Sequence, residues 1–304
     1  MADVIINSPT DLVKIKEKVL SSRKKIGHEI KEKIMVCMGG GCIASGSQKV
    51  KEALEKAIDA NNLKSKVEIC STGCLGPCVK GPIIHMKSDD TFYQKIDTED
   101  CSEIVTSHIL NNTVVDRLTW KKDASRESIH KIQDIQFFNK QKKIALRNCG
   151  SIDPLCIEDY IGNDGYAALG VVLSKMKPEQ IVEEVKISGI RGRGGAGFPT
   201  YLKWSLAQEK KSDKKYIVCN ADEGDPGAFM DRSLLEGDPH SLIEGMAIGA
   251  FAIGASTGYV YVRAEYPLAV ERLQHAINEA NQKGLLGKNI LGTTFCFDLE
   301  IRMG

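Results

Sequence analysis

A chain of 304 residues suits one large domain or two of ordinary size, and two is the better prior. Its 42% hydrophobic and 27% charged residues are those of a folded globular protein and exclude a disordered or fibrous chain. With 41 basic and 40 acidic residues, the net charge of +1 offers no electrostatic basis for binding nucleic acid or an anionic membrane.

The N-terminus, Met1-Ala-Asp-Val-Ile-Ile-Asn7, lacks the basic stretch and apolar core of a signal peptide. That predicts a reducing, cytoplasmic setting, where clustered cysteines are more often metal ligands or redox groups than disulfides. Residues 8–32 read as a charged helix with the apolar stripe Leu12, Ile15, Val19 and Leu20. Lys33–Cys37 reads as a short buried strand. An amphipathic helix follows, with Val50, Ala53, Leu54, Ala57 and Ile58 on one face and a Ser45–Gln48 capping box at its start. Lys66–Cys70 is a second strand, Pro82–Met86 and Phe92–Ile96 a hairpin pair, and Ile104 to Ile109 part of a closing helix. The order β-α-β-β-β-α makes residues 30–118 one small α/β domain after a helical segment, 1–29.

Residues 119–150 read as a linker, for between Trp120 and Arg147 basic residues outnumber acidic ones eight to three. The remainder, 151–304, opens with helical patterns around Tyr166–Leu173 and Gln180–Val185. The glycine-rich loop Gly189–Thr200 leads into a helix beginning near Tyr201, and Tyr216–Cys219 reads as a buried strand before an acidic loop. Gly245–Val262 has the length of a membrane span and no charge, but its glycine and alanine content and the break at Ala255–Gly258 predict a buried helix, a turn and a strand.

Ten cysteines are present, five of them between Cys37 and Cys78. Cys37 and Cys42 enclose four residues, and Cys74 and Cys78 enclose three, each pair just after a predicted strand. Four thiolates around a [2Fe–2S] core need backbone N–H donors, which glycine lets approach without a Cβ clash. Gly39-Gly-Gly41 and Gly73-Cys-Leu-Gly76 have that chemistry. Zinc competes as the metal, though its structural sites favour tighter C-x2-C pairs, and ordinary buried cysteines are the third reading. Cys70 reads as a core residue or a spare thiol; Cys101, Cys149, Cys156, Cys219 and Cys296 read as packing.

These residues resemble the thioredoxin-like [2Fe–2S] ferredoxin domain of respiratory complex I and related soluble hydrogenases. The resemblance rests on Cys37-x4-Cys42 and Cys74-Leu-Gly-Pro-Cys78-Val-Lys-Gly-Pro82, and it implies Cys37, Cys42, Cys74 and Cys78 as cluster ligands.

Gly192-x-Gly194-x-x-Gly197 fits the dinucleotide fingerprint as a string, yet the segment before it reads as helix where a Rossmann loop follows a strand. A glycine-rich turn beside a helix N-terminus still favours a phosphate, and Arg191, Arg193 and Lys203 add positive charge. Asp222, Glu223 and Asp225 offer acceptors for ribose hydroxyls or an amine. A flexible surface loop and an acid-capped turn are the plainer alternatives.

Taken together, Arg191–Thr200 with Leu202-Lys-Trp204, then Asn220-Ala-Asp-Glu-Gly-Asp-Pro-Gly227, resemble the FMN- and NADH-binding subunit of complex I and the matching module of NAD(P)-linked hydrogenases and formate dehydrogenases. The resemblance implies that Gly192, Arg193, Gly194, Gly195, Ala196, Gly197 and Lys203 contact FMN and nicotinamide nucleotide. It implies that Asn220, Asp222 and Glu223 line the flavin, with Asp225 in the same segment, and that Phe198 stacks on the nucleotide. Tyr201 departs from the family's glycine. The family's Gly-Glu-Glu segment and C-terminal [4Fe–4S] motif are expected beyond Gly304, which makes the α/β flavin domain an incomplete one. The implied activity is NAD(P)H oxidation, or NAD(P) reduction, through FMN, with single electrons passed along iron–sulfur clusters to a partner hydrogenase or dehydrogenase. The alternative is a [2Fe–2S] carrier module without a working flavin site.

Overall fold

The computed structural model describes residues 5–29, 32–122 and 127–304. Residues 30–31 of the expected first helix and 123–126 of the expected linker lie outside them. The chain forms two compact units. One comprises Val19–Cys156 with Glu236–Asp238; the other comprises the chain up to Lys18, Ile157–Leu235 and Pro239–Gly304.

Helix α1 (Pro9–Glu29) starts at a reciprocal cap: the Asp11 amide donates to Ser8 Oγ and the Asn7 amide to the Asp11 carboxylate, both at 3.3 Å. Of its expected stripe, Leu12 is buried but Leu20 is 38% exposed. In the first unit, β1 (Glu32–Cys37), the short α2 (Gly40–Ala44), α3 (Ser47–Ala60), β2 (Val67–Thr72), β3 (Ile84–Met86) and β4 (Phe92–Tyr93) follow in order. The sheet order is β2-β1-β3-β4, with β1 and β2 parallel in the register Cys37↔Thr72 and the other pairings antiparallel. Val50, Leu54 and Ile58 of α3 pack against Ile34, Val36, Ile84, Met86 and Tyr93. Burying each large aliphatic there stabilises the unit by about 1.5–3 kcal/mol.

The Ser45–Gln48 capping box does not form. Gly46, at φ 97°, occupies the N-cap position of α3, a left-handed conformation that suits glycine, and Ser45 instead closes α2, its Oγ donating to Gly41 O. Helix α4 (Asp100–Glu103) runs into a widened turn, Ile104–Leu110, that completes the core. The described residues of the basic stretch form secondary structure too. Strands β5 (Trp120–Lys121) and β6 (Ser128–Ile129) pair, and α5 (Gln136–Asn139) follows, with Ile135 and Phe138 packed against Cys37, Cys42, Leu75 and Phe92.

The second unit contains α6 (Ile157–Gly162), α7 (Ala167–Lys175), α8 (Pro178–Ser188), α9 (Thr200–Glu209), β7 (Tyr216–Ala221), α10 (Met230–Gly237), α11 (Pro239–Ile253), β8 (Thr257–Val262), α12 (Pro267–Gln282) and β9 (Asp298–Met303). Strands β7, β8 and β9 form a parallel sheet in that order. The helix approaches the sheet closely at Gly249, where a β-carbon would stand 2.7 Å from Ile217. The apolar run in β7 suggested a fully buried strand. In the structure only alternate residues turn inward, and Tyr216 and Val218 are 51% and 63% exposed, because helices cover one face of the sheet. Glu244 of α11 is buried and accepts the Tyr160 hydroxyl at 2.6 Å and the amides of Tyr166 and Leu169 at 2.8 and 3.0 Å, fixing the start of α7. Among the described residues no helix is long and apolar enough to cross a membrane.

Candidate cofactor sites

Parallel strands release their following loops at the same end of a sheet, and β1 and β2 do so in register. Cys37 is the last residue of β1, and Cys42 lies on α2 just beyond. The loop after β2 carries Cys74 and then Cys78, which opens a single helical turn. This brings all four together. Cys74 Sγ stands 3.8 Å from Cys78 Sγ, Cys37 Sγ donates to Gly73 O at 3.8 Å, and the Cys37 thiol is close enough to Cys42 and Cys74 to interact with both. The thiols thus form a line of two pairs joined through Cys37 and Cys74. Among the described residues no three His, Cys, Asp or Glu side chains are arranged around one mononuclear ion.

Glycines shape the space. A β-carbon on Gly39 would lie 2.8 Å from Cys74 Cβ; one on Gly41, 3.2 Å from Cys78 Sγ; and one on Gly81, 3.0 Å from Cys42 Sγ. Each glycine meets a cysteine of the other pair, or of the other loop, so the main chain lies directly against the sulfurs. A cradle of this kind, with four soft thiol donors, fits a [2Fe–2S] cluster. Cys37 and Cys42 are buried, Cys74 is half-buried and Cys78 is exposed. The Cys37 thiol is pushed up to about 12, first by its hydrogen bond with Cys42 and further by burial, with Cys74 opposing. Cys74 is also raised, chiefly through Cys37. A bound cation reverses that preference, because a coordinated thiol is held as thiolate.

Cys149, which the sequence assigned to packing, and two residues it did not single out, Glu236 and Asn148, sit beside these loops. Cys149 is buried against Gly73 and Gly237, its thiol pushed up to about 12 by burial. Glu236, 2% exposed, accepts the Gly40 amide at 3.2 Å. Asn148 donates to Asp238 at 2.7 Å within the same unit. Cys70 is buried in β2, its thiol donating to Ser71 O at 3.4 Å.

In the second unit the glycine loop follows helix α8, which ends on Gly189 at φ 66°; the Rossmann context is absent, as the sequence indicated. The loop is a small hairpin closed by Gly192 N to Phe198 O at 2.8 Å and Thr200 N to Ile190 O at 3.2 Å. Arg191 Nη1 donates to Gly197 O at 3.1 Å across it. Gly195 and Gly197 have φ of 99° and 61°, and no atom would meet a β-carbon at Gly194, Gly195 or Gly197. The tip therefore presents bare backbone to solvent ahead of α9, with Arg193 and Ala196 on it, Phe198 42% exposed, and Lys203 exposed one turn into the helix. Backbone N–H groups without side chains above them, next to a helix N-terminus, fit a phosphate.

The acidic loop leaves the carboxyl end of β7, the edge where open parallel sheets bind ligands. Asn220 Oδ1 accepts the Asp222 amide at 3.1 Å. Glu223, held at φ 47°, spends both carboxylate oxygens on the amides of Asp231 and Arg232, at 2.9 and 3.0 Å, and so caps α10. Asp225 is exposed, its carbonyl accepting the Ala228 amide. Among the described residues no hydrogen bond joins the glycine loop to the acidic loop.

Residues 22–108 match the model of the thioredoxin-like [2Fe-2S] ferredoxin, and residues 185–304 that of the Nuo51 FMN-binding domain. The NADP-reducing hydrogenase subunit HndC of Solidesulfovibrio fructosivorans is 61% identical over 165 residues, which cover 54% of this chain and 33% of that protein. A subunit of the NADH-quinone oxidoreductase of Rhizobium meliloti (strain 1021) is 50% identical over 161 residues, 53% of this chain and 38% of that protein. The chain thus spans between 33% and 38% of the length of these relatives. Among solved structures, the thioredoxin-like [2Fe-2S] ferredoxin from Aquifex aeolicus aligns with 31% of this chain and 99% of its own, at 28% identity and a TM-score of 0.29. This polypeptide joins a member of the thioredoxin-like [2Fe-2S] ferredoxin family to a member of the Nuo51 FMN-binding family.

Proposed function

We propose that the chain is an electron-transfer flavoprotein subunit that exchanges electrons between NAD(P)H and a cytoplasmic, multi-subunit hydrogenase or dehydrogenase. The observation that carries this reading is the convergence of four thiols from two glycine-lined loops, in the same chain as an FMN-binding domain. Bound FMN supplies the conversion between two-electron hydride chemistry and single-electron transfer.

The residues divide the work by chemistry. Cys37, Cys42, Cys74 and Cys78 hold the cluster. Gly192, Gly194, Gly195, Ala196 and Gly197 turn N–H groups to phosphate, and Arg193 and Lys203 balance its charge. Asn220, Asp222 and Asp225 accept from flavin or ribose hydroxyls, and Phe198 offers a flat apolar face to the nucleotide. Glu223 orders the acidic loop from beneath, through its cap on α10. No side chain is required as a nucleophile or general base.

The commitment of both Glu223 oxygens to α10, which withdraws one expected flavin contact, favours a second reading, a [2Fe–2S] carrier module without a working flavin site. Quantifying iron, labile sulfide and flavin in the purified protein, then adding NADH or NADPH without oxygen, separates the two. Yellow protein that bleaches supports the flavoprotein reading, and cluster absorbance without FMN supports the carrier. Zinc in place of iron and sulfide overturns both.

A further inference from the structure

The residues Glu236–Asp238 lie in the stretch matched by the FMN-binding model, yet they belong to the compact unit of the cysteine loops. There they touch both loops. The Glu236 carboxylate accepts the amide of Gly40, which sits between Cys37 and Cys42 with Gly39 and Gly41, the two glycines facing the opposite cysteines, on either side. Gly237 meets Gly73, the residue before Cys74, so closely that a β-carbon on Gly73 would fall 2.4 Å from Gly237 Cα. Asp238 accepts from the buried Asn148 at 2.7 Å, anchoring the strap behind them.

We propose that Glu236 is a positioning residue of the cluster site that holds its reduction potential low. This rests on the reading that the four cysteines carry a [2Fe–2S] cluster. Reduction adds one electron and transfers no atom, so the reduced site is more anionic by one charge. Cluster potentials follow net charge, N–H donation to the sulfurs and solvent exposure. Glu236 acts on the first two. Its charge is buried, where Coulomb interactions are poorly screened, and it engages an N–H of the ligand loop that would otherwise be free to donate to sulfur. Both effects disfavour the reduced form. Glutamine preserves the shape and an acceptor oxygen but not the charge.

The test is an anaerobic potentiometric titration of the full chain, following the paramagnetic signal of the reduced cluster in wild type, Glu236→Gln and Glu236→Asp. Glu236→Gln is expected to shift the reduction equilibrium at least tenfold toward the reduced form, about 59 mV for one electron. Glu236→Asp, which keeps the charge, is expected to stay within about threefold of wild type. Three outcomes overturn the proposal: a loaded Gln variant titrating with wild type, equal shifts in both variants, or a Gln variant that assembles no cluster while the Asp variant does. A wild-type protein without iron and sulfide removes the underlying reading instead, and is seen before any variant is measured.

Discussion

A β-carbon on Gly39 would stand 2.8 Å from Cys74 Cβ and 3.0 Å from its Cα, so the loop after β1 passes the loop after β2 at a separation only glycine allows. The atoms in the way belong to backbone and a short side chain, which cannot swing aside. Gly39→Ala is therefore expected to push the two cysteine pairs apart and lower iron and sulfide content severalfold. Overpacking of this kind typically costs about 1–3 kcal/mol, which a denaturant midpoint registers separately from cluster loss. Full cluster content in the alanine variant would show that the loops adapt.

Much of the first unit was legible because its signals are local. A short apolar run marked β1, helical apolar spacing α3 and alternation β2, and the paired cysteines after strands pointed to the candidate site. The capping box misled because Ser45 and Gln48 satisfy the motif, while Gly46 between them takes the left-handed turn that decides where α3 begins. Glu236 was illegible for a different reason. It meets Gly40 across 196 residues of chain, and no periodicity encodes such a contact. The stretch from Trp120 to Arg147 read as a linker because its basic residues outnumber its acidic ones. Ile135 and Phe138 nevertheless wall the cysteine loops.

Glu244 offers a stability test in the flavin unit. Glu244→Ala removes the acceptor of two buried amides and a buried hydroxyl at once. Buried donors left unsatisfied cost about 1–3 kcal/mol each, so a loss of at least about 3 kcal/mol is expected by chemical denaturation. Gln should recover part of it.

Acid should destabilise the ferredoxin unit through His85. Burial, then the nearby Lys87, lowers its pKa below the ordinary 6.5, against the hydrogen bond to Asp90. Between the folded value and 6.5 the unfolded chain binds more protons, so stability rises with pH across that window and is lost as pH falls through it. The slope for one proton is at most about 1.4 kcal/mol per pH unit. His85→Gln should flatten the curve just below pH 6.5, and parallel curves for the two proteins would assign the acid sensitivity elsewhere.

Two substitutions separate the roles in the flavin unit. Glu223→Ala removes the α10 cap and should lower stability by about 1–2 kcal/mol even without FMN. Lys203→Met, at an exposed position, should leave the melting curve unchanged and weaken FMN or nucleotide binding about tenfold, read by flavin fluorescence titration. Unchanged affinity would take Lys203 out of the site.

Cys37 and Cys42 share an apolar cluster with Leu75, Ile83, Phe92 and Ile135, whereas Cys78 is exposed. The two ends of the ligand set therefore answer the same substitution differently. Serine at Cys78 exchanges one donor atom in contact with water and reports on ligation alone. Serine at Cys37 also places a hydroxyl inside the hydrophobic core, so its effect on cluster content mixes ligand chemistry with the integrity of the sheet.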